Sequence, residues 1–280
     1  MKYQEALFQG SKILKFNNIR SFNLDSEILL SSSLQLDRSQ LILNLDKKIK
    51  NKEKEIFFNY IERRKKSEPI AYITGYKEFW KNKFKVDKNV LIPRPDTETI
   101  VEQVLNDLNI NSAKKILDIG TGSGCILLSI LRERKKCTGV GVDISKNAIK
   151  LAKYNAKIQH IKNRIRFLNS DIDNFYGDKY DLIISNPPYV KLHKINSLDK
   201  DIKNFEPKVA LNGGVDGYTK IRLTIKKSST LIKKRGKLFL EVGFDQTKET
   251  LKLLKLNGFY TNKVVKDLAN ANRCLVSTKI

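Results

Sequence analysis

From residue 114 onward, short apolar runs of strand length alternate with longer stretches of helical spacing, and this alternation leaves few folds open. Ile116-Leu117, Gly139-Val140-Gly141-Val142, Ile165-Arg166-Phe167-Leu168 and Tyr180-Asp181-Leu182-Ile183-Ile184 read as four successive strands. Helices are expected between them over Cys125 to Leu131 and Ser145 to Ile158, the second capped by Ser145. Strands separated by helices line up in parallel, and a parallel sheet is covered on both faces. Further elements are expected as a helix from about Tyr218 to Ile232, a strand over Lys237 to Val242, a helix near Thr247 to Leu256 and a strand near Cys274-Leu275-Val276. Residues 189–217 carry no clear element of their own, and a loop that long inside a compact domain tends to be functional.

Earlier residues follow other rules. Over 1–67, Ala6, Leu7, Ile13, Leu14, Ile28, Leu29, Ile56, Phe57 and Ile61 recur at helical spacing, which predicts a small helical domain. Over 68–97, aromatic residues alternate with polar ones and Gly75, Pro93 and Pro95 appear, as in a hairpin or linker. Asp96 or Thr97 is then expected to cap a helix from about Glu98 to Leu108, with Ile100, Val101, Val104 and Leu105 on its apolar face. The expected division is 1–67 helical, 68–97 linker and 98–280 α/β, and 280 residues at 40% hydrophobic content suffice for a full core plus a small second domain.

Asp118-Ile119-Gly120-Thr121-Gly122-Ser123-Gly124 lies between the first of these strands and its helix. Glycines there let backbone approach a ligand, and the helix start offers unpaired N–H groups. A nucleotide-like ligand is implied. Asp143 ends the second strand, where it can accept both hydroxyls of a ribose, and Asp171, in Asn169-Ser170-Asp171-Ile172, is placed to accept from an adenine amino group. NAD is the first competitor, but the spacing is GxGxG, not GxGxxG, and an acidic residue precedes it. A pyrophosphate avoids Asp118, whereas a ligand carrying an ammonium and a sulfonium, such as S-adenosyl-L-methionine, is favoured near a carboxylate. A plain tight turn would account for the glycines alone. It leaves the acidic residues at successive strand ends without a purpose, and ligands in such sheets collect at those ends.

The fourth strand runs into Ser185-Asn186-Pro187-Pro188-Tyr189-Val190. Each proline fixes its own φ and pushes the preceding residue out of the helical region, so Asn186 and Pro187 are held extended. Neither proline has an N–H. The local supply is dominated by acceptors, the Asn186 side-chain oxygen and the Pro187 carbonyl, while a planar NH2 group is mainly a donor of two hydrogen bonds. The turn therefore suits gripping such a group, with Tyr189 available to stack on its plane. The plain alternative is a strand that ends in a Pro-rich turn.

Taken together these residues resemble a class I, S-adenosylmethionine-dependent methyltransferase of the amino-methylating group. More narrowly, the chain is similar to the release-factor glutamine N5-methyltransferase family. Glu68 to Gly75, Glu78-Phe79-Trp80, Leu91 to Glu98, Asp118 to Gly124, Asn186 to Tyr189, Phe205-Glu206-Pro207 with Ala210-Leu211, and the stretch around Gly217 follow that family's order and spacing. The resemblance is weakest over 1–65. It implies a Rossmann-like, mostly parallel seven-stranded sheet with helices on both faces, a small all-helical N-terminal domain that helps recognise the substrate, and a β-hairpin linker. It implies methyl transfer to the glutamine of the Gly-Gly-Gln motif in class I peptide-chain release factors. Catalysis would fall to Asn186, Pro187 and Tyr189, and cofactor binding to Asp118, Gly120, Thr121, Gly122, Ser123, Gly124, Asp143, Asp171, Ile172 and Asn186. Substrate binding would fall to Asn186, Pro187, Pro188, Tyr189, Glu206, Pro207 and Arg94. Two departures stand out: Ile172 where relatives often carry an aromatic, and Asn270-Ala271-Asn272-Arg273 in place of a glycine-containing turn. The runner-up is a methyltransferase of an exocyclic amine in DNA or RNA, which needs the same acceptors.

A net charge of +24 raises nucleic acid or the ribosome as a contact, yet Lys, Ile and Asn crowd the whole sequence as under a compositional bias. Arg63-Arg64-Lys65-Lys66 and Lys233-Lys234-Arg235 read as solvated helix ends, and direct nucleic-acid binding stays open. A non-catalytic nucleic-acid-binding module would explain the charge but not the strand ends. Cys125, Cys137 and Cys274 lack metal or disulfide spacing, His160 and His193 are too few for a metal cluster, and no segment approaches membrane-spanning length. A cytoplasmic, monomeric protein without metal or membrane is expected.

Overall fold

The helical spacing of the N-terminal stretch resolves into α1 (Tyr3–Phe16), α2 (Phe22–Leu34), α3 (Arg38–Leu43), α4 (Asn51–Arg64) and α5 (Ile70–Thr74) in a computed structural model that describes residues 1–280. Their apolar stripes close on one cluster that includes Leu14, Leu29, Leu30, Leu41, Phe57, Ile61 and Ile73. Gly10 makes that closure possible: a Cβ there would stand 2.6 Å from the Phe57 ring. Arg64 donates to Asp25 at 2.7 Å and ties α4 to α2. Arg63 and Arg64 do close a helix, as expected. This unit comprises Met1–Gly75 together with Asp199–Phe205.

Tyr76–Leu198 and Glu206–Ile280 make the second unit. In chain order the remaining elements are β1 (Tyr76–Phe79), β2 (Asn82–Lys85), α6 (Glu98–Asp107), β3 (Lys115–Ile119), α7 (Cys125–Glu133), β4 (Thr138–Asp143) and α8 (Lys146–Ile158). They continue as β5 (Ile165–Asn169), β6 (Tyr180–Ser185), α9 (Lys200–Phe205), α10 (Lys208–Leu211), α11 (Thr219–Leu231), β7 (Ile232–Glu241), α12 (Thr247–Leu256), β8 (Phe259–Lys266) and β9 (Asn272–Lys279). β1 and β2 form the expected hairpin, whose two-residue connection holds Trp80 at φ 54° while Glu98 accepts its N–H at 2.6 Å.

Seven strands form one sheet in the order β5-β4-β3-β6-β7-β9-β8, parallel except for the antiparallel pairings of β9. Side chains alternate across it with the two-residue period of a strand. Ile116, Leu182, Ile184, Phe239 and Cys274 join the cluster under α6, α7 and α8. Leu117, Ile183, Leu238, Leu240 and Leu275 join the cluster under α11 and α12. Burial on both faces is why these runs are apolar throughout. Successive connections leave β3 in opposite directions, to β4 and to β6, and ligands settle in the crevice at such a switch point.

Four expectations change. β8 has no counterpart in the pattern, because an edge strand with exposed Tyr260, Lys263 and Lys266 shows no apolar run. β7 begins at Ile232, so Lys233-Lys234-Arg235 lie in a strand and not at a helix end. Residues 189–217 are not structureless: they hold a 3-10 turn over Leu192–Ser197 as well as α9 and α10. Thr97 gives α6 no capping bond, its hydroxyl having other partners. The Ser145 cap is present, accepting from Ala148 N–H at 3.2 Å. The three cysteines are buried and free, and no helix is long and apolar enough to cross a membrane.

Candidate functional site

The floor of the site is the turn after β3. Gly120 (φ 74°) and Gly122 (φ 55°) adopt left-handed backbone, and a Cβ on either would enter open space. Conformation, not crowding, selects glycine here, and the surface left behind is bare backbone. The carbonyl of Val142 accepts from Gly120 and Thr121, pinning the turn to β4. Asp143, at the end of β4, accepts Gly122 N–H at 2.9 Å with one oxygen and Ser145 N–H at 2.8 Å with the other. Burial raises its pKa above the ordinary carboxyl range, against those two bonds.

One cavity collects most of the expected residues. It is lined by Gly120, Thr121, Gly122 and Ser123 from the turn, Asp143 from β4, Asp171 and Ile172 beyond β5, Asn186, Pro187 and Pro188 beyond β6, and Arg94. A neutral, glycine-lined floor beside Asp143, Asp171 and apolar Ile144 and Ile172 fits an adenosine with a short zwitterionic tail, so the donor set accommodates S-adenosyl-L-methionine.

Asp118 lies elsewhere. It shares the parity of Ile116 on β3, so its side chain turns under the floor, fully buried, and is not part of the lining. Its Oδ2 accepts from the Thr121 hydroxyl at 2.7 Å and Oδ1 has no partner. Burial pushes the carboxyl up to about 7, with the charge of Asp143 adding to the rise. Its link to the cavity therefore runs through Thr121, which does line it. Gly124 also stands behind the lining, where a Cβ would meet Leu128 at 3.0 Å.

At the end of β6, Ser185 donates to the Ile119 carbonyl at 2.8 Å and levels β6 with β3. Asn186 then donates from Nδ2 to Thr97 Oγ1 at 3.1 Å. Tyr189 does not face the cavity: its ring packs against the cluster under α11 and α12, and its hydroxyl donates to Glu241 Oε1 at 3.2 Å. The expected stacking surface is thus an anchor, because the β6-to-loop turn directs that ring toward β7. Burial and the Glu241 charge push its phenol well above the usual range.

Glu241 is buried at the end of β7, and burial pushes it up to about 7, while the Thr97 hydroxyl, Arg273 and Tyr189 favour its charged form. Arg273, from the departing Asn-Ala-Asn-Arg turn, pairs with Asp267 at 2.9 Å and with Asp96 at 3.3 Å. The backbone after Tyr189 is clamped as well. Gln246 donates to the carbonyls of Tyr189 (3.2 Å) and Gly217 (3.0 Å), and a Cβ on Gly213 would stand 2.7 Å from the Tyr189 Cα. Glu206 pairs with Arg94 and accepts Ile92 N–H at 3.3 Å, holding Arg94 at the cavity from behind; Pro207 starts α10, whose Val209 and Ala210 complete that side.

Sequence reasoning did not single out Glu241, Gln246 or the α11 residues Lys220, Leu223 and Thr224 that line the cavity. Glu241 alone left a signal, an acidic residue closing an otherwise apolar strand end.

Comparison with known proteins gives a consistent picture. Residues 5–75 match the family model described as PrmC N-terminal domain, and residues 96–203 that of the methyltransferase small domain. A release factor glutamine methyltransferase of Clostridium acetobutylicum is 38% identical over 100% of this chain and 99% of its own. One from Thermodesulfovibrio yellowstonii is 39% identical over 96% of this chain and 97% of its own. Among solved structures, a methyltransferase from Pyrococcus furiosus covers 70% of this chain and 88% of that one with a TM-score of 0.53 at 14% identity, a likeness of fold.

Proposed function

The chain belongs to the release factor glutamine methyltransferase family, and from that premise we propose that Asn186 and Pro187 hold the substrate amide for methylation. The protein is a methyltransferase that methylates a release-factor glutamine with S-adenosyl-L-methionine as donor. The acceptor in this reading is the N5 amide of the Gly-Gly-Gln glutamine in class I release factors, and the protein acts as a cytoplasmic monomer. One observation carries the assignment: the acceptor turn Asn186-Pro187-Pro188 and the glycine floor open into the same cavity.

A glutamine amide nitrogen is a poor nucleophile because its lone pair is delocalised into the carbonyl. Asn186 Oδ1 and the Pro187 carbonyl accept its two N–H bonds, orient the nitrogen, and stabilise the positive charge that develops on it. Bound S-adenosyl-L-methionine supplies the electrophilic methyl group. Gly120 to Ser123, Asp143, Asp171 and Ile172 hold that donor, with Asp143 on the ribose and Ile172 against the base. Pro188 and Arg94, the latter braced by Glu206, shape the substrate side. The proton leaves the nitrogen after methylation makes it strongly acidic, so no side-chain base is needed.

The test is transfer of labelled methyl to a purified release factor, beside its Gln→Ala variant and total nucleic acid, with mass mapping. Label on the glutamine, absent in the variant, is the expected result. Label on nucleic acid alone overturns the reading.

A further inference from the structure

We propose that Thr97, oriented by buried Glu241, is a positioning residue that fixes which end of the Asn186 amide faces the cavity. The inference rests on the role given to Asn186 above and adds what makes that role possible. An Asn side chain has a donor end and an acceptor end of nearly equal shape, and only the acceptor end can receive a substrate NH2. A reversed amide would set NH2 against NH2.

The structure contains a device that breaks the symmetry. Thr97 has one hydroxyl hydrogen. Glu241, 1% exposed and at the end of the adjacent strand β7, is a carboxylate whose charged form the Thr97 hydroxyl stabilises. When that hydrogen points at Glu241, Thr97 Oγ1 presents only lone pairs to Asn186. Asn186 must answer with Nδ2, and does so at 3.1 Å, which leaves Oδ1 for the cavity that Thr97 and Asn186 both line. Tyr189 holds Glu241 from the other side through its hydroxyl at 3.2 Å. Asp96 and Arg273 complete the charges around the carboxyl, and Cys274 stands opposite it on β9. The carboxylate touches neither cofactor nor substrate and acts through Thr97.

The absence of a helix cap supports this. Thr97 precedes α6 at the place where a hydroxyl ordinarily caps the first turn, yet it makes no capping bond. Its hydroxyl serves Asn186 and Glu241 instead.

Two readouts test the inference. In steady-state methyl transfer, Thr97→Val, which keeps shape but loses the hydroxyl, is expected to lower kcat about tenfold or more. KM for the release factor and the Kd for S-adenosyl-L-methionine stay within about twofold, since neither contact is removed. Thr97→Ser recovers kcat to within about threefold of the parent, and Glu241→Gln, which offers Thr97 a donor as well as an acceptor, falls between. The second readout needs no activity: hydrogen exchange of the Asn186 side-chain amide in protein labelled with 15N-asparagine, assigned by its disappearance in Asn186→Ala. Slow exchange in the parent and Thr97→Ser, and fast exchange in Thr97→Val, are expected. Unchanged exchange in Thr97→Val, or parental kcat in that variant, overturns the proposal. If the parent transfers no methyl to the release factor, the functional reading fails and the exchange data still decide the positioning role.

Discussion

Replacing Asn186 by alanine removes one acceptor and leaves the glycine floor of the cavity intact. The rate of methyl transfer is therefore expected to fall about 10²- to 10³-fold, as on loss of one preorganised charge-stabilising group, with cofactor affinity changed little. Parallel single-turnover and calorimetric measurements check this, and equal losses in both would remove Asn186 from the chemistry. Gly122→Ala acts in the opposite sense: a Cβ at φ 55° strains the turn and projects into the open cavity, so cofactor affinity drops more than the rate at saturation. At this scale the sequence was legible wherever function follows from local pattern. Asp143, Asp171 and Asn186 were readable because each directly follows an apolar strand. Thr97 and Glu241 were not, because they meet Asn186 and Tyr189 across 89 and 52 residues of chain, a proximity set only by the register of β6 against β7. Asp118 was readable as important but not as hidden, since only its parity on β3 says which way it points.

Elements hold the site through their ends. The loop after β6 carries no long helix, yet Gln246 from the turn before α12 binds two of its carbonyls, and Gly213 packs against the Tyr189 backbone. Gln246→Met leaves those carbonyls without their donor, at a cost of about 1–3 kcal/mol that urea denaturation will read as a lower midpoint. Gly213→Ala meets backbone at 2.7 Å and is expected to cost about 1–3 kcal/mol and to lower transfer rates too, because the displaced atoms belong to Tyr189. Parallel strands and their helices were legible because two-sided burial writes continuous apolar runs. β8 was not, being an exposed edge, and α9 and α10 were not, being too short for helical periodicity to show.

For the molecule as a whole, buried carboxyls link stability to pH. Asp118 and Glu241 titrate near 7 in the folded protein, pushed there first by burial, and near 4 when unfolded. Between those values the folded chain holds protons that the unfolded chain has released. Their contribution to stability is thus complete below about pH 4 and is lost as pH rises through about 7. Thermal unfolding of the ligand-free protein, in about 0.5 M salt to screen its +24 charge, is expected to occur at lower temperature at about pH 8 than at about pH 5.5. Asp118→Asn with Glu241→Gln should flatten that slope, and a slope unchanged in the double variant would assign it to other groups. A final consequence comes from the path of the chain. Because Asp199–Phe205 is counted with Met1–Gly75, the backbone passes between the two units three times, after Gly75, after Leu198 and after Phe205. No single cut divides the protein into its two units. A protease that nicks the bond after Gly75 releases an N-terminal piece lacking a segment of its own unit, and a gene split at that point makes two halves that each carry part of the other's fold.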